Sequence, residues 1–285
     1  MPRKTIQNFY EMKQKKEMVT WITAYDFITA SLVDQAGIDM ILVGDSLGMV
    51  IYGYPGTVPV TMDQMICHTE AVRRGAPNCF IVGDMPFLSY QPSVEDAIKN
   101  AGRFYKECGV DAIKLEGGKR VCPQIRGIVD SGMVCIGHIG LTPQSSGQLG
   151  GFKAQGNTAE AAVALLEDAK AVEEAGCAIL LVEGVPPETG KIITETLKIP
   201  VFSIGAGPYC DGQLLIVADM LGLFEIFTPK FVKKYANVAE VMRQAFKTYA
   251  AEIRERKFPT VDFAYKMKAG EAERLAAMLK AKGYK

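Results

Sequence analysis

The 285-residue sequence predicts a (β/α)8, or TIM, barrel with a carboxy-terminal helical extension, on three observations. Seven short apolar runs each end on a polar or glycine-containing segment. Helix-like patterns lie between them. The run ends, at residues 26, 45, 84, 116, 138, 183 and 207, lie about 30 residues apart, close to the ~31 that an eightfold barrel of ~250 residues allots to each unit.

The runs are VTWITAYD (19–26), MILVGDS (40–46), CFIVGDMP (79–86), DAIKLEGG (111–118), VCIGHIG (134–140), AILLVEG (178–184) and VFSIGAG (201–207). Their hydrophobicity is continuous rather than alternating, as expected of parallel strands covered on both faces. Between them, 61–76 opens on a Thr cap, 93–109 opens with Ser93 and Asp96 in capping-box spacing and closes on Gly109, and 157–176 runs from an Asn or Thr cap to a Gly. An eighth strand is expected in LFEIFTP (223–229), and 238–257 as the last long barrel helix. IGAGPYCDGQ (204–213) lacks the full GxGxxG fingerprint and reads as a tight turn with Asp211 capping a following helix. With no linker and no repeat, residues 1–285 read as one domain, barrel at about 18–257 and extension at about 258–285.

Composition narrows the partners. Thirty-two basic side chains balance 32 acidic ones, which removes the usual electrostatic route to nucleic acid or an anionic membrane. No stretch approaches the ~18 apolar residues of a membrane span. The amino terminus has basic residues but no apolar core of a secretory signal. Seven cysteines, with no CxxC pair, read as small reduced core residues of a cytoplasmic protein. The 28 glycines exceed the ~20 expected at roughly 7% usage. Those beside the strand-end acids are expected to leave room for a ligand.

The strand ends carry the chemistry. Asp26, Asp45, Asp84, Glu116, His138 and Glu183 all fall where a barrel gathers its carboxyl-terminal strand ends on one face. Carboxylates gathered so closely resist ionisation unless a cation neutralises them. An oxygen-only donor set, without a Cys or His pair, points to magnesium. The competing reading is that each acid caps the helix after it. Lys114 and Glu116 are two apart on a strand and therefore share a face. Glu183 follows a run of apolar residues, and burial there would hold its carboxyl near neutrality as a general base. His68, in a helical pattern, reads as structural.

TAYD (23–26), GDS (44–46), GDMPF (83–87), KLEGG (114–118), GHIGLTPQ (137–144), GGFKAQG (150–156), VEGVP (182–186), IGAG…DGQ (204–213) and PKFVKKYAN (229–237) occur in an order that resembles the ketopantoate hydroxymethyltransferase family. The resemblance covers nearly all of residues 5–260. It implies a barrel related to the phosphoenolpyruvate/pyruvate enzymes, in a cytoplasmic homodecamer of two pentamers. It implies one Mg²⁺ per subunit held by Asp45 and Asp84, with Glu116 completing the shell directly or through water. It further implies that Asp45, Ser46, Asp84 and Lys114 hold a 2-oxo acid, that His138 lies in the site and that Glu183 accepts the proton. The implied reaction moves the one-carbon unit of 5,10-methylenetetrahydrofolate to 3-methyl-2-oxobutanoate. The chain departs from the family pattern at Ser146, Gly147, Gly184, Ser203 and Phe263, none of them among these positions.

Two other functions are weighed against this one. A magnesium-dependent C–C lyase or mutase of the phosphoenolpyruvate type would call for a reactive Cys or an arginine cluster at a strand end, and neither is seen. A non-catalytic metabolite-binding barrel would tolerate apolar residues at 84, 116 and 183, where acids stand.

Overall fold

Eight strands, each parallel to the next, close on themselves in sequence order. They are β1 (Val19–Thr23), β2 (Met40–Val43), β3 (Phe80–Asp84), β4 (Ala112–Glu116), β5 (Cys135–Gly140), β6 (Ile179–Glu183), β7 (Val201–Ile204) and β8 (Gly212–Leu215). The structure is a computed structural model and describes residues 3–284. The helices are α1 (Ile6–Lys15), α2 (Phe27–Gln35), α3 (Leu47–Val50), α4 (Met62–Gly75), α5 (Val94–Arg103), α6 (Cys122–Asp130), α7 (Ser146–Leu149), α8 (Ala159–Glu174), α9 (Pro187–Thr196), α10 (Val217–Met220), α11 (Val238–Arg254) and α12 (Glu271–Ala281). The expected caps form: Thr61, Ser93 and Thr158 each accept a hydrogen bond from the backbone N–H three residues on.

The eighth strand is not at 223–229, where the backbone is irregular and Ile226 and Phe227 are exposed. It is the four-residue Gly212–Leu215, paired with β1 from Val19↔Gly212 to Ile22↔Leu215 and with β7 at Phe202↔Gly212. A seven-residue turn, too short for a helix, joins it to β7, so the regular spacing of the earlier units breaks here. Asp211 caps no helix. Its carboxylate takes an ion pair from Lys13 at 2.7 Å and a hydrogen bond from the Val201 N–H at 2.8 Å.

Period-two alternation fills the barrel in layers. Phe80, Val82 and Asp84 share one face of β3, Ala112, Lys114 and Glu116 one face of β4, and Ile136 and His138 one face of β5. The amino-terminal layers are apolar, with Trp21, Met40, Leu42, Phe80, Val82, Ile136, Leu181 and Phe202 in one buried cluster. The carboxyl-terminal layer is ionisable. From below, α1 inserts fully buried Phe9, whose ring meets Phe80 edge-on at 5.1 Å and Phe202 at 6.3 Å. A second apolar cluster lies between the sheet and the surrounding helices, where Ile41, Val43, Ile81, Ile113 and Leu180 point outward.

At Gly83 the absent side chain serves the packing. A Cβ at Gly83 would run into the ring of Phe104, which a single π turn (Phe104–Cys108) brings against the outside of β3. Gly140, at φ +90°, ends β5 where a side chain would strike the Glu183 carbonyl.

Met1–Ala236 form one compact unit and Asn237–Lys285 a second. α11, read from the sequence as the last barrel helix, belongs to the second unit. In this second unit α11 exposes Val241, Phe246 and Tyr249, and Phe258 packs its ring between Tyr249 and Phe263 at 6.2 and 5.2 Å.

Phe9→Ala should remove about 3–5 kcal/mol of folding stability, because the rings around it cannot close over the gap. Urea denaturation checks this, and a loss under 1 kcal/mol would show that α1 does not seal the barrel.

Candidate active site

Five consecutive strands, β2 to β6, deliver their last residues to one end of the barrel. Asp84 stands opposite Lys114 in the β3–β4 register, and Glu116 opposite His138 in β4–β5. Asp45 lies just beyond β2 and Glu183 ends β6. All but Glu183 are essentially enclosed, with side-chain exposures of 1–3% for Asp84, Lys114, Glu116 and His138 against 14% for Glu183.

Lys114 is the hub. Its Nζ lies 2.7 Å from Asp84 Oδ1, 3.7 Å from Glu116 Oε1 and 3.4 Å from His138 Nδ1. Burial by itself would strip the proton from this amine, but Asp84, Glu116 and Asp45 outweigh burial and hold it well above the usual lysine range. The carboxyls move upward in turn. Burial raises Asp84 and Asp45, and their acidic neighbours add to it while Lys114 pulls both back. Burial likewise raises Glu116 against the pull of Lys114 and the Gln144 N–H.

A ring of neutral groups fixes the acids. The Asp45 N–H donates to Asp84 Oδ2 at 3.0 Å. Gln144 Nε2 donates to Asp45 Oδ2 at 2.9 Å and to the Met85 carbonyl at 2.9 Å, while its backbone N–H donates to Glu116 Oε2 at 3.0 Å. The buried Tyr90 hydroxyl lies 2.8 Å from Gln144 Oε1 and accepts from the Glu116 N–H at 3.1 Å. Ser46 Oγ pairs with the Tyr25 hydroxyl at 2.8 Å. Tyr25, Tyr90 and Gln144 carry no periodic or charge signal in the sequence that would mark them, although Gln144 closes one of its recognisable motifs.

His138 joins the acid cluster to Glu183. Burial and then Lys114 depress its pKa, so the ring is neutral at neutral pH. An ammonium can only donate, so facing Lys114 assigns Nδ1 as acceptor and leaves the proton on Nε2, 3.2 Å from Glu183 Oε2. Burial raises Glu183, and the His138 ring beside it opposes the rise.

Asp26 does not join this set. It is exposed and caps α2, accepting from the Thr29 N–H at 2.9 Å, so for this one acid the capping reading holds. His68 bonds the Tyr25 carbonyl and, at 3.0 Å, the Tyr52 hydroxyl, outside the cluster.

The donor set fits a hard divalent cation. Among the described residues no three His, Cys, Asp or Glu side chains form a ready metal shell. Magnesium commonly takes only one or two protein carboxylates and completes its octahedron with water and substrate oxygens. Buried Asp84 Oδ1 meets Lys114 as an ion pair but makes no well-aligned hydrogen bond, so a lone pair is left over in the acid cluster. Glu116 is less available, with Oε1 toward Lys114 and His138 and Oε2 on the Gln144 N–H.

A family model described as ketopantoate hydroxymethyltransferase matches residues 3–261. The 3-methyl-2-oxobutanoate hydroxymethyltransferase of Alkaliphilus metalliredigens (strain QYMF) is 62% identical over 263 residues, covering 92% of this chain and 93% of the relative. That of Moorella thermoacetica is 52% identical, covering 93% and 98%. Among solved structures, a phosphonopyruvate hydrolase complex with oxalate and Mg²⁺ aligns with a TM-score of 0.60 at 14% identity, covering 98% of this chain and 99% of the other. A 2,3-dimethylmalate lyase of the PEP mutase/isocitrate lyase superfamily aligns at 0.55 and 14%, covering 99% and 98%. These two alignments speak for the barrel fold alone.

Lys114→Met should cost roughly 3–5 kcal/mol of stability, since it strands buried carboxylates without their cation. Adding Asp84→Asn should return part of the loss. Chemical denaturation of both variants checks the pair, and strictly additive losses would mean that Lys114 and Asp84 do not compensate each other.

Proposed function

The chain belongs to the ketopantoate hydroxymethyltransferase family and transfers a hydroxymethyl group to 3-methyl-2-oxobutanoate in pantothenate biosynthesis, and from that premise we propose how its residues do so. The one-carbon donor in this proposal is 5,10-methylenetetrahydrofolate, and the product is 2-dehydropantoate. One Mg²⁺ per subunit would be held by Asp45 and Asp84, with Glu116 completing the shell directly or through water. Small molecules are its partners, without nucleic acid or membrane. A cytoplasmic homodecamer of two pentamers is carried by the family resemblance, and no helix among the described residues is long and apolar enough to cross a membrane.

The chemical difficulty is the proton at C3 of a branched 2-oxo acid. Magnesium, when bound, supplies Lewis-acid withdrawal of electron density from the keto group. Lys114 offers its ammonium to the anionic end of the substrate or to the negative charge that develops beside it, in a site too dry to screen the interaction. Ser46, oriented by Tyr25, is placed to hold a substrate oxygen.

Glu183 takes the C3 proton. The observation that carries this assignment is its position: it ends β6 at the barrel mouth, partly exposed, while the acids around Lys114 are enclosed. His138, neutral and proton-bearing at Nε2, steadies the Glu183 carboxylate before it takes the proton. The electron pair left at C3 forms the new bond to the methylene carbon, water supplies the hydroxyl, and both C–N bonds of the donor break as its two nitrogens take up the proton from C3 and one from water, releasing tetrahydrofolate. A general base of this kind contributes typically 10²–10⁴-fold.

Glu183→Gln should keep oxo-acid binding and lose C3 deuterium exchange by at least about 100-fold. Unchanged exchange in this variant removes Glu183 from the base role. In the wild type, exchange should fall as pH drops through the Glu183 pKa, because only the carboxylate can accept the proton. That limb should lie above the ordinary carboxylate value of about 4.3, since burial raises the group. His138→Leu removes the imidazole that opposes the rise, so the limb should move to still higher pH, and an unmoved limb would show that His138 does not tune the base.

Asp45→Ala and Asp84→Ala should each abolish Mg²⁺-dependent binding of 3-methyl-2-oxobutanoate in calorimetry. Binding retained in both would leave the two acids a purely structural role.

A further inference from the structure

The oxo-acid machinery occupies the ends of β2 to β6 and leaves the arc formed by β7, β8 and β1 without an assigned ligand. Two acids stand on that arc: Asp26, which caps α2, and Asp219. Asp219 lies in α10, directly after β8, and the segment is tied to β1 by the Val217 N–H donating to Thr23 Oγ1 at 3.0 Å. The residue is only 5% exposed. Among the described residues its side chain makes no hydrogen bond and no ion pair within 4.0 Å, and the cation that it feels, Lys234, acts at longer range. A carboxylate buried to this degree without a donor is costly, and burial pushes its pKa up to about 6.

The charge of Asp219 also reaches a residue of the site. The Tyr25 phenol is pushed up chiefly by burial, is pulled back by Ser46 and Thr23, and is pushed up again by the carboxylates of Asp219 and Asp45. Its hydroxyl holds Ser46 Oγ, next in sequence to Asp45. Tyr25 thus feels both Asp45, at the oxo-acid end, and Asp219.

We propose that Asp219 is the recognition residue for the one-carbon donor and accepts hydrogen bonds from the paired N–H donors of its pterin ring. This rests on the reading of 5,10-methylenetetrahydrofolate as co-substrate. The pterin edge presents N3–H and the 2-amino group side by side, a planar donor pair that matches the two oxygens of one carboxylate. Asp219 has both oxygens uncommitted, on the part of the mouth that the oxo acid does not need.

The test compares the donor with an analogue lacking the 2-amino group, on wild type and on Asp219→Asn. The wild type should lose roughly 10- to 100-fold in kcat/KM with the analogue, the discrimination expected of a hydrogen bond to a charged group. Asp219→Asn should raise KM for methylenetetrahydrofolate by a similar factor, no longer discriminate the analogue, and leave KM for 3-methyl-2-oxobutanoate and folate-free C3 exchange within about threefold. Equal use of donor and analogue by the wild type overturns the assignment without recourse to any variant. So does an Asp219→Asn defect that falls equally on both substrates, which would mark a structural charge. Failure of the wild type to use methylenetetrahydrofolate at all, with C3 exchange intact, removes the co-substrate reading and this inference together.

Discussion

A single buried ammonium holds the functional end of this barrel together. Lys114 is drawn by Asp84, Glu116 and Asp45 strongly enough to stay charged where burial alone would neutralise it. The acids in turn could not be so close to one another without it. Glu116 shares its strand, but Asp45, Asp84 and His138 come from the ends of β2, β3 and β5, so the electrostatics work only with those strands in the observed register. The 32-to-32 balance of the whole chain conceals this local arrangement, in which charge is concentrated and enclosed.

The arrangement depends on what lies beneath it. Alternation puts every second side chain of each strand into the barrel, and the lower layers are filled by Trp21, Met40, Phe80 and Phe202. Phe9 closes the bottom from outside the barrel, and Lys13 on the same helix clamps Asp211. With water excluded from below, the interactions of Lys114 and His138 act in a low-dielectric space open only toward the mouth. Neutral groups complete it. Gln144 ties Asp45, Glu116 and the Met85 carbonyl into one network, and Tyr90 locks Gln144 to the β4 backbone. His138 passes the effect to Glu183, the one acid of the group set at the edge of the solvent.

Most of the strands and the longer helices can be read from the chain, because continuous apolar runs and capping residues are local properties. The reading fails where local signals mislead. Leu223–Pro229 is apolar yet irregular, while the true eighth strand, Gly212–Leu215, is short, contains Gly and Gln, and is held by its pairing to β1 and β7. Asp26 and Asp45 follow similar strand-end patterns, but one caps an exposed helix and the other is buried under Gln144. The Gly-Asp pairs suggest space for a ligand, whereas at Gly83 that space is filled by Phe104.

The sequence by itself determined the parallel barrel, the acids and the lysine at its strand ends, and, through its ordered motifs, the family. These follow from periodicity and residue chemistry, which need no knowledge of distant contacts. Tertiary structure alone decided which acids meet, that Tyr25, Tyr90 and Gln144 join them, which nitrogen of His138 carries the proton, and that Asp219 stands buried without a donor. Those outcomes depend on distances between residues as far apart as Asp45 and Gln144, brought together only when strands that pair with their neighbours close into a ring.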